Sequence, residues 1–184
     1  MARIPSTMMP LGTRAPEFTL PDTVSGRELS LHEIKGEKGT LVMFICNHCP
    51  FVIHVNEQLV KLGNDYQPNG IKLVAISSND ATKYPEDSPE KMRLVAKKLT
   101  YPFPYFYDET QEIAEAYDAA CTPDFFLFDA EMRLVYRGQL DGARPDNDVP
   151  VTGYDLREAM DALLYGEEMP QDQKPSVGCS IKWK

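Results

Sequence analysis

Apolar positions follow different rhythms along the chain, and each rhythm predicts an element. Leu41-Val42-Met43-Phe44-Ile45 is unbroken, β-branched and aromatic, which predicts a strand buried on both faces. Val52, Val55, Leu59 and Leu62 then recur at steps of three, four and three, the spacing of a helix face. Pro50 fits that helix only in its first turn, where the backbone N–H groups lack intrahelical partners. Ile71 to Ile76 is a second buried strand. Ser88-Pro89-Glu90 opens a helix with Ser as N-cap and Pro at its first position, and Met92, Val95, Ala96 and Leu99 form its inner face. Tyr101 to Tyr107 holds a short strand, and Asp108-x-x-Gln111 resembles a capping box for a helix through Tyr117. Phe125 to Phe128 and Arg133 to Tyr136 read as a hairpin through Asp129-Ala130-Glu131. Thr152-x-x-Asp155 starts a last helix with Leu156, Met160, Leu163 and Leu164 inward. Before residue 40, Pro5, Pro10, Pro16 and Pro21 break any long element. Phe18 to Leu20 and Glu28-Leu29 are the strand candidates there, across a turn at Ser25-Gly26.

Strand–helix–strand–helix, then a hairpin and a helix, predicts an α/β sandwich around a mixed sheet. The 184 residues suit a single domain, 1–184, with residues 1–39 as an N-terminal β extension and 170–184 as a C-terminal tail. The net charge is −9, which argues against a nucleic-acid partner and against docking on an anionic membrane. The densest apolar stretch, Leu41 to Cys46, is six residues, against roughly 20 for a spanning helix. Met1-Ala2-Arg3-Ile4-Pro5 carries no apolar leader, so the expected location is cytoplasmic. The acids between Asp141 and Asp172 read as a solvated face.

The cysteines change the picture. Four in this length are too few for a disulfide scaffold, so their spacing decides their use. Cys46-Asn47-His48-Cys49 sits where a buried strand hands over to a helix. Two thiols at this spacing can close a small disulfide ring, and the positive end of the helix favours thiolate over thiol. His48, when protonated, favours the thiolate beside it and makes the disulfide a stronger oxidant. The alternatives are a pair of core cysteines or half a zinc site. The latter lacks a second CxxC or a paired-histidine partner, since the histidines are His32, His48 and His54. Cys121 precedes Thr122-Pro123 and the strand that follows. Cys179 lies in the tail, where it either resolves a disulfide or anchors the tail by packing.

Several segments resemble a known family. Gly12-Thr13-Arg14-Ala15-Pro16-Glu17-Phe18-Thr19-Leu20-Pro21-Asp22 and the strand into Cys46-Asn47-His48-Cys49-Pro50-Phe51-Val52 are similar to redoxins of the alkyl hydroperoxide reductase/thiol-specific antioxidant family. Thr122-Pro123 before Phe125-Phe126-Leu127-Phe128-Asp129 resembles the cis-proline segment of thioredoxin-like folds. Pro175 to Trp183 is similar to the tail of a peroxiredoxin-like subgroup with a CxxC. The resemblance implies a thioredoxin-like sandwich with a central mixed β-sheet, helices on both faces, and Pro123 facing the CxxC. It also implies that Cys121 lies close to Cys46 and Cys49. Where peroxiredoxins carry proline and Thr or Ser, seven and three positions before the peroxidatic cysteine, Cys49 has Val42 and Cys46. No arginine falls near Pro123. Thioredoxins have Trp and a buried acid one and six before the first cysteine; here these are Ile45 and Thr40.

The expected function is thiol–disulfide exchange with protein or small-molecule thiols and disulfides, without a cofactor or metal. By analogy Cys46 is the exposed attacking thiol, Cys49 resolves, His48 supports the thiolate, and Thr122 and Pro123 shape the docking surface. One alternative is a thiol peroxidase with Cys49 peroxidatic and Cys46, Cys121 or Cys179 resolving. Another is a soft-metal or iron–sulfur carrier using Cys46, Cys49 and Cys121.

Overall fold

The computed structural model describes residues 3–184. In chain order the elements are β1 (Arg3–Pro5), β2 (Thr19–Pro21), β3 (Glu28–Ser30), α1 (Leu31–Ile34), β4 (Gly39–Phe44) and α2 (Pro50–Tyr66). There follow β5 (Ile71–Ser77), α3 (Pro89–Leu99), β6 (Tyr105–Tyr107), α4 (Glu112–Ala116) and β7 (Cys121–Thr122). The chain continues through β8 (Asp124–Asp129), β9 (Leu134–Gly138), α5 (Tyr154–Tyr165) and β10 (Val177–Ser180).

The central sheet has the order β6-β5-β4-β8-β9. β4 lies in its middle, parallel to β5 and antiparallel to β8, with Val42 opposite both Val74 and Phe126. All six of its residues are buried, as the unbroken apolar run requires. The strand alternation sends Leu41, Met43, Leu73 and Leu127 to one face, where α2, α3 and α5 cover them. Val42, Phe44, Val74 and Phe126 point the other way, onto Phe18, Leu31 and α4. Phe44, Tyr117 and Phe126 meet there edge to face or tilted, at 5.5 to 5.9 Å between centroids. The sandwich therefore has a mixed sheet with helices on both faces. Among the described residues, no helix is long and apolar enough to cross a membrane.

Departures from the sequence pattern are local and have physical causes. β2 pairs antiparallel with β3, Leu20 opposite Leu29, and Ser30 with Glu33 forms a capping box for α1. Asp108-x-x-Gln111 is no capping box. Gln111 is the N-cap in a left-handed conformation, φ 68°, and Asp108 reaches past it to the N–H of Ala114 and the Ser78 hydroxyl. The helix ends at Ala116, with Tyr117 as its cap. α5 starts after Gly153, whose φ of 71° favours glycine. The Thr152 and Gly153 N–H groups go to Asp141, so that acid is buried and structural, unlike its exposed neighbours Asp146 and Asp148. Val95, Leu99, Leu163 and Leu164 are half-buried rather than core. The tail contains a strand the sequence pattern does not reveal. β10 lies between β1 and β7, with Cys179 opposite Arg3 on one side and Thr122 on the other.

Candidate active site

β4 delivers the chain to Cys46, and Cys49 is the N-cap of α2, with Pro50 at the first helical position. The Val52 and Ile53 N–H groups both turn to the Cys49 carbonyl, at 3.0 and 2.9 Å. Beside this turn stands Asp87, which closes the 3-10 turn Pro85–Asp87 before α3 and is fully buried. Its Oδ1 accepts the Asn47 N–H at 2.8 Å and the His48 N–H at 3.4 Å. Its Oδ2 accepts Asn79 Nδ2 at 2.8 Å and lies 2.6 Å from His48 Nδ1. Asn47 is held a second time, donating to the Glu86 carbonyl and accepting from the Tyr105 hydroxyl, each at 2.9 Å. The His48 ring stacks on Tyr84 with 5.8 Å between centroids. The two residues between the cysteines are thus clamped by a loop nearly 40 positions away.

Across from them runs the Thr122–Pro123 peptide, which is cis. Thr122 Oγ1 is 3.6 Å from Cys46 Sγ, and the Thr122 carbonyl is 3.3 Å from Cys49 Sγ, which donates to it when protonated. Behind that segment β10 brings Cys179 Sγ to 2.9 Å from Cys49 Sγ. Four cysteines therefore lie in this region, all buried and all reduced.

Cys46 does not match the exposed thiol expected by analogy. It is 3% exposed, and Cys49 is 1% exposed. A Cys49 thiolate is held by a hydrogen bond from Cys46, which outweighs the cost of burial, and further by Cys179, Thr122 and the Val52 N–H. Together these push the Cys49 thiol down to about 5. Cys46 moves the other way, raised by donating its proton to Cys49, by burial and by the Asp87 charge. Cys179 is pushed up to about 12, by burial first and then by its bond to Cys49. Burial likewise raises Cys121, whose sulfur faces the Pro123 carbonyl at 3.8 Å.

The Cys46–Cys49–Cys121 set expected of a metal carrier does not converge. Among the described residues, the group of three or more ligand-type side chains whose atoms all lie within 4.8 Å of one another is Cys46, His48 and Asp87. His48 Nδ1 and Asp87 Oδ2 approach to 2.6 Å, hydrogen-bond distance. Asp87 is the residue that sequence reasoning missed. Pro85-Glu86-Asp87-Ser88 reads only as the approach to a helix cap, and nothing local points to the CxxC. His32 and His54 are exposed and take no part.

A parallel core strand running into two cysteines at a helix start, opposite a cis-proline segment, defines a thioredoxin-like protein. The thioredoxin domain of a thiol-disulfide oxidoreductase from Bacteroides vulgatus superposes with a TM-score of 0.60, at 22% identity, over 71% of this chain and 89% of that one. The AhpC/TSA family model matches residues 11–137, more than half of the chain, and the chain belongs to that family. A crystal structure of an uncharacterized conserved protein from Geobacillus kaustophilus is 59% identical, with a TM-score of 0.99 over 100% of this chain and 97% of that chain. Thiol-disulfide oxidoreductase ResA of Bacillus subtilis is 26% identical over 67% of this chain, an alignment that spans 64% of the ResA length.

Proposed function

We propose that this chain is a thiol–disulfide oxidoreductase working through Cys46 and Cys49. The observation that carries the reading is geometric: both thiols sit at the start of α2 against the cis Thr122–Pro123 segment. Thr122 Oγ1 is 3.6 Å from Cys46 Sγ and the Thr122 carbonyl 3.3 Å from Cys49 Sγ, and the lowered Cys49 thiol beside a raised Cys46 fits that arrangement. Cys49 attacks a substrate disulfide, one half leaves as thiolate, and a mixed disulfide forms on Cys49. Cys46 then loses its proton toward the adjacent His48–Asp87 pair, attacks Cys49 and releases the second half. Two protein thiols become one disulfide, and one substrate disulfide becomes two thiols, so no cofactor is needed. Substrates are thiols and disulfides of proteins or small molecules, in keeping with the thiol-disulfide oxidoreductase name of the ResA relatives.

Thiol trapping with mass-spectrometric disulfide mapping, across graded glutathione redox buffers, tests the assignment. A reversible Cys46–Cys49 disulfide is expected. Cys46→Ser keeps the first attack, and Cys49→Ser loses it. A wild-type protein that takes up no disulfide at any ratio overturns the reading. If Cys46→Ser rather than Cys49→Ser loses the first attack, the roles are reversed.

A second reading rests on the same low Cys49 thiol. The Cys49 thiolate attacks a peroxide oxygen, the alcohol or water leaves, and the sulfenic acid condenses with Cys46 to a disulfide and water. Cys46 stands where the family's peroxidatic site has a hydroxyl, which weakens this reading. Peroxide consumption with a recycling thiol reductant decides it: a rate no better than a free thiol removes it.

A further inference from the structure

We propose that Cys179 is a second resolving thiol for Cys49, so that the site can close either of two intramolecular disulfides, Cys46–Cys49 or Cys49–Cys179. The proposal deepens the oxidoreductase reading and rests on it. It concerns a residue beyond the span of the family match, which ends at residue 137.

The two sulfurs are 2.9 Å apart, against about 2.05 Å in a bonded pair. Several contacts fix this approach. β10 is paired on both sides, with β1 and with β7. Gly178 packs so closely that a Cβ there would meet the Thr122 carbonyl oxygen at 1.9 Å. Before the strand, Ser176 donates its hydroxyl to the Pro123 carbonyl. After it, the Lys182 N–H goes to Asn79 Oδ1 at 2.9 Å, on the same side chain that holds Asp87. Cys179 is therefore set against Cys49 by the framework that builds the dithiol. Cys121 has its sulfur 3.8 Å from the Pro123 carbonyl and, among the described residues, no comparable approach to another sulfur.

The resting charge distribution also suits the role. Cys179 keeps its proton through burial and through the Cys49 sulfur it bonds. When Cys49 attacks a disulfide, its negative charge is spent in the new bond. The hydrogen-bond and charge contributions of Cys49 that hold the Cys179 proton disappear, which makes its ionisation easier. The proton passes to the departing thiolate. The Cys179 sulfur then attacks Cys49, the Cys49–Cys179 bond forms, and the second substrate half leaves as a thiolate that takes its proton from solvent. The balance is that of the Cys46 route: one external disulfide is reduced and two protein thiols are oxidised. The product differs, because it ties strand β10 to the start of α2.

The test uses the full chain with glutathione disulfide, acid quenching, alkylation and peptide mapping. Wild type and Cys46→Ser are compared with Cys46→Ser/Cys179→Ser. In Cys46→Ser a Cys49–Cys179 linkage is expected, reversed by dithiol reductant. The double variant should stop at the glutathione adduct on Cys49. In partly oxidised wild type the same linkage is expected beside Cys46–Cys49, a readout that needs no variant to fold. Its appearance in either protein supports the proposal. Its absence from both, with Cys179 alkylated and Cys46–Cys49 formed in wild type, overturns the proposal and leaves the dithiol reading standing. A wild type that accepts no disulfide removes both.

Discussion

Asp87 Oδ2 lies 2.6 Å from His48 Nδ1, while its Oδ1 takes the backbone N–H of Asn47 at 2.8 Å. One carboxylate thus holds both residues of the CxxC spacer, and it does so from the loop between β5 and α3. The acid that thioredoxins carry within the strand before the first cysteine has no counterpart at Thr40; here the buried acid beside the thiols arrives from a loop.

Removing that charge has a signed consequence. Asp87 raises the Cys46 thiol, so Asp87→Asn lowers it. Alkylation of Cys46 followed against pH, in Cys49→Ser and in Cys49→Ser/Asp87→Asn, should show a lower midpoint in the double variant. An unchanged or higher midpoint refutes the coupling. Asp87→Ala removes the acceptor of Asn47 N–H and Asn79 Nδ2 as well, at a cost of about 1–3 kcal/mol in urea unfolding.

Cys49 should be the fast-reacting thiol once substrate or reagent reaches it, with a midpoint near its value of about 5. The sign for stability follows from the depressed folded value. An unfolded thiol titrates near ~8.5, so the stabilisation is complete above that pH and is lost as pH falls through about 5. The unfolding difference between reduced wild type and Cys49→Ser should therefore be larger at about pH 8 than at about pH 4.5. Equal differences would refute it.

Asp124 presents the opposite case. It is fully buried, its Oδ1 accepts the Phe125 N–H at 3.1 Å, and among the described residues no hydrogen bond of normal geometry reaches its Oδ2. Burial raises its carboxyl above the ordinary range. A raised acid opposes folding increasingly as pH rises above its unfolded value, about 3.9. Asp124→Asn should then be more stable than wild type near neutral pH, with the gain vanishing below about pH 4. A gain that persists in acid, or none at neutral pH, contradicts this account.

Gly178→Ala tests the seating of β10. A Cβ would meet Thr122 backbone atoms at 1.9 and 2.7 Å, and neither can rotate away. The expected cost is about 1–3 kcal/mol or more. Alkylation of Cys179 should accelerate as the strand lifts. Wild-type stability with unchanged Cys179 protection would show that the contact is not tight.

Much of this arrangement is legible in the sequence because it is written in short-range patterns. The run from Leu41 to Ile45 has no polar break, and Cys49-Pro50 followed by Val52 and Val55 states a helix start and its inner face together. Ser88 caps α3, its side chain accepting from Lys91 N–H as its position suggests. What escapes is carried by long-range partners. β10 has four residues, one of them Gly178, and is a strand only because β1 and Thr122 lie beside it. Asp108 looks like a cap at three residues' distance and acts at six. Cys46 follows an apolar strand and could face either way; its burial depends on Thr122 and Asp87, which are 76 and 41 positions on.

The 130-residue separation between Cys49 and Cys179 also sets an order in time. A ribosome releases the CxxC and its helix well before the strand that covers them. During that interval the nascent chain has neither its covering strand nor its third sulfur. Foreign disulfides meet an open pair, and any mixed disulfide made then, with the other half released as thiolate, must be cleared before the sheet can close over it.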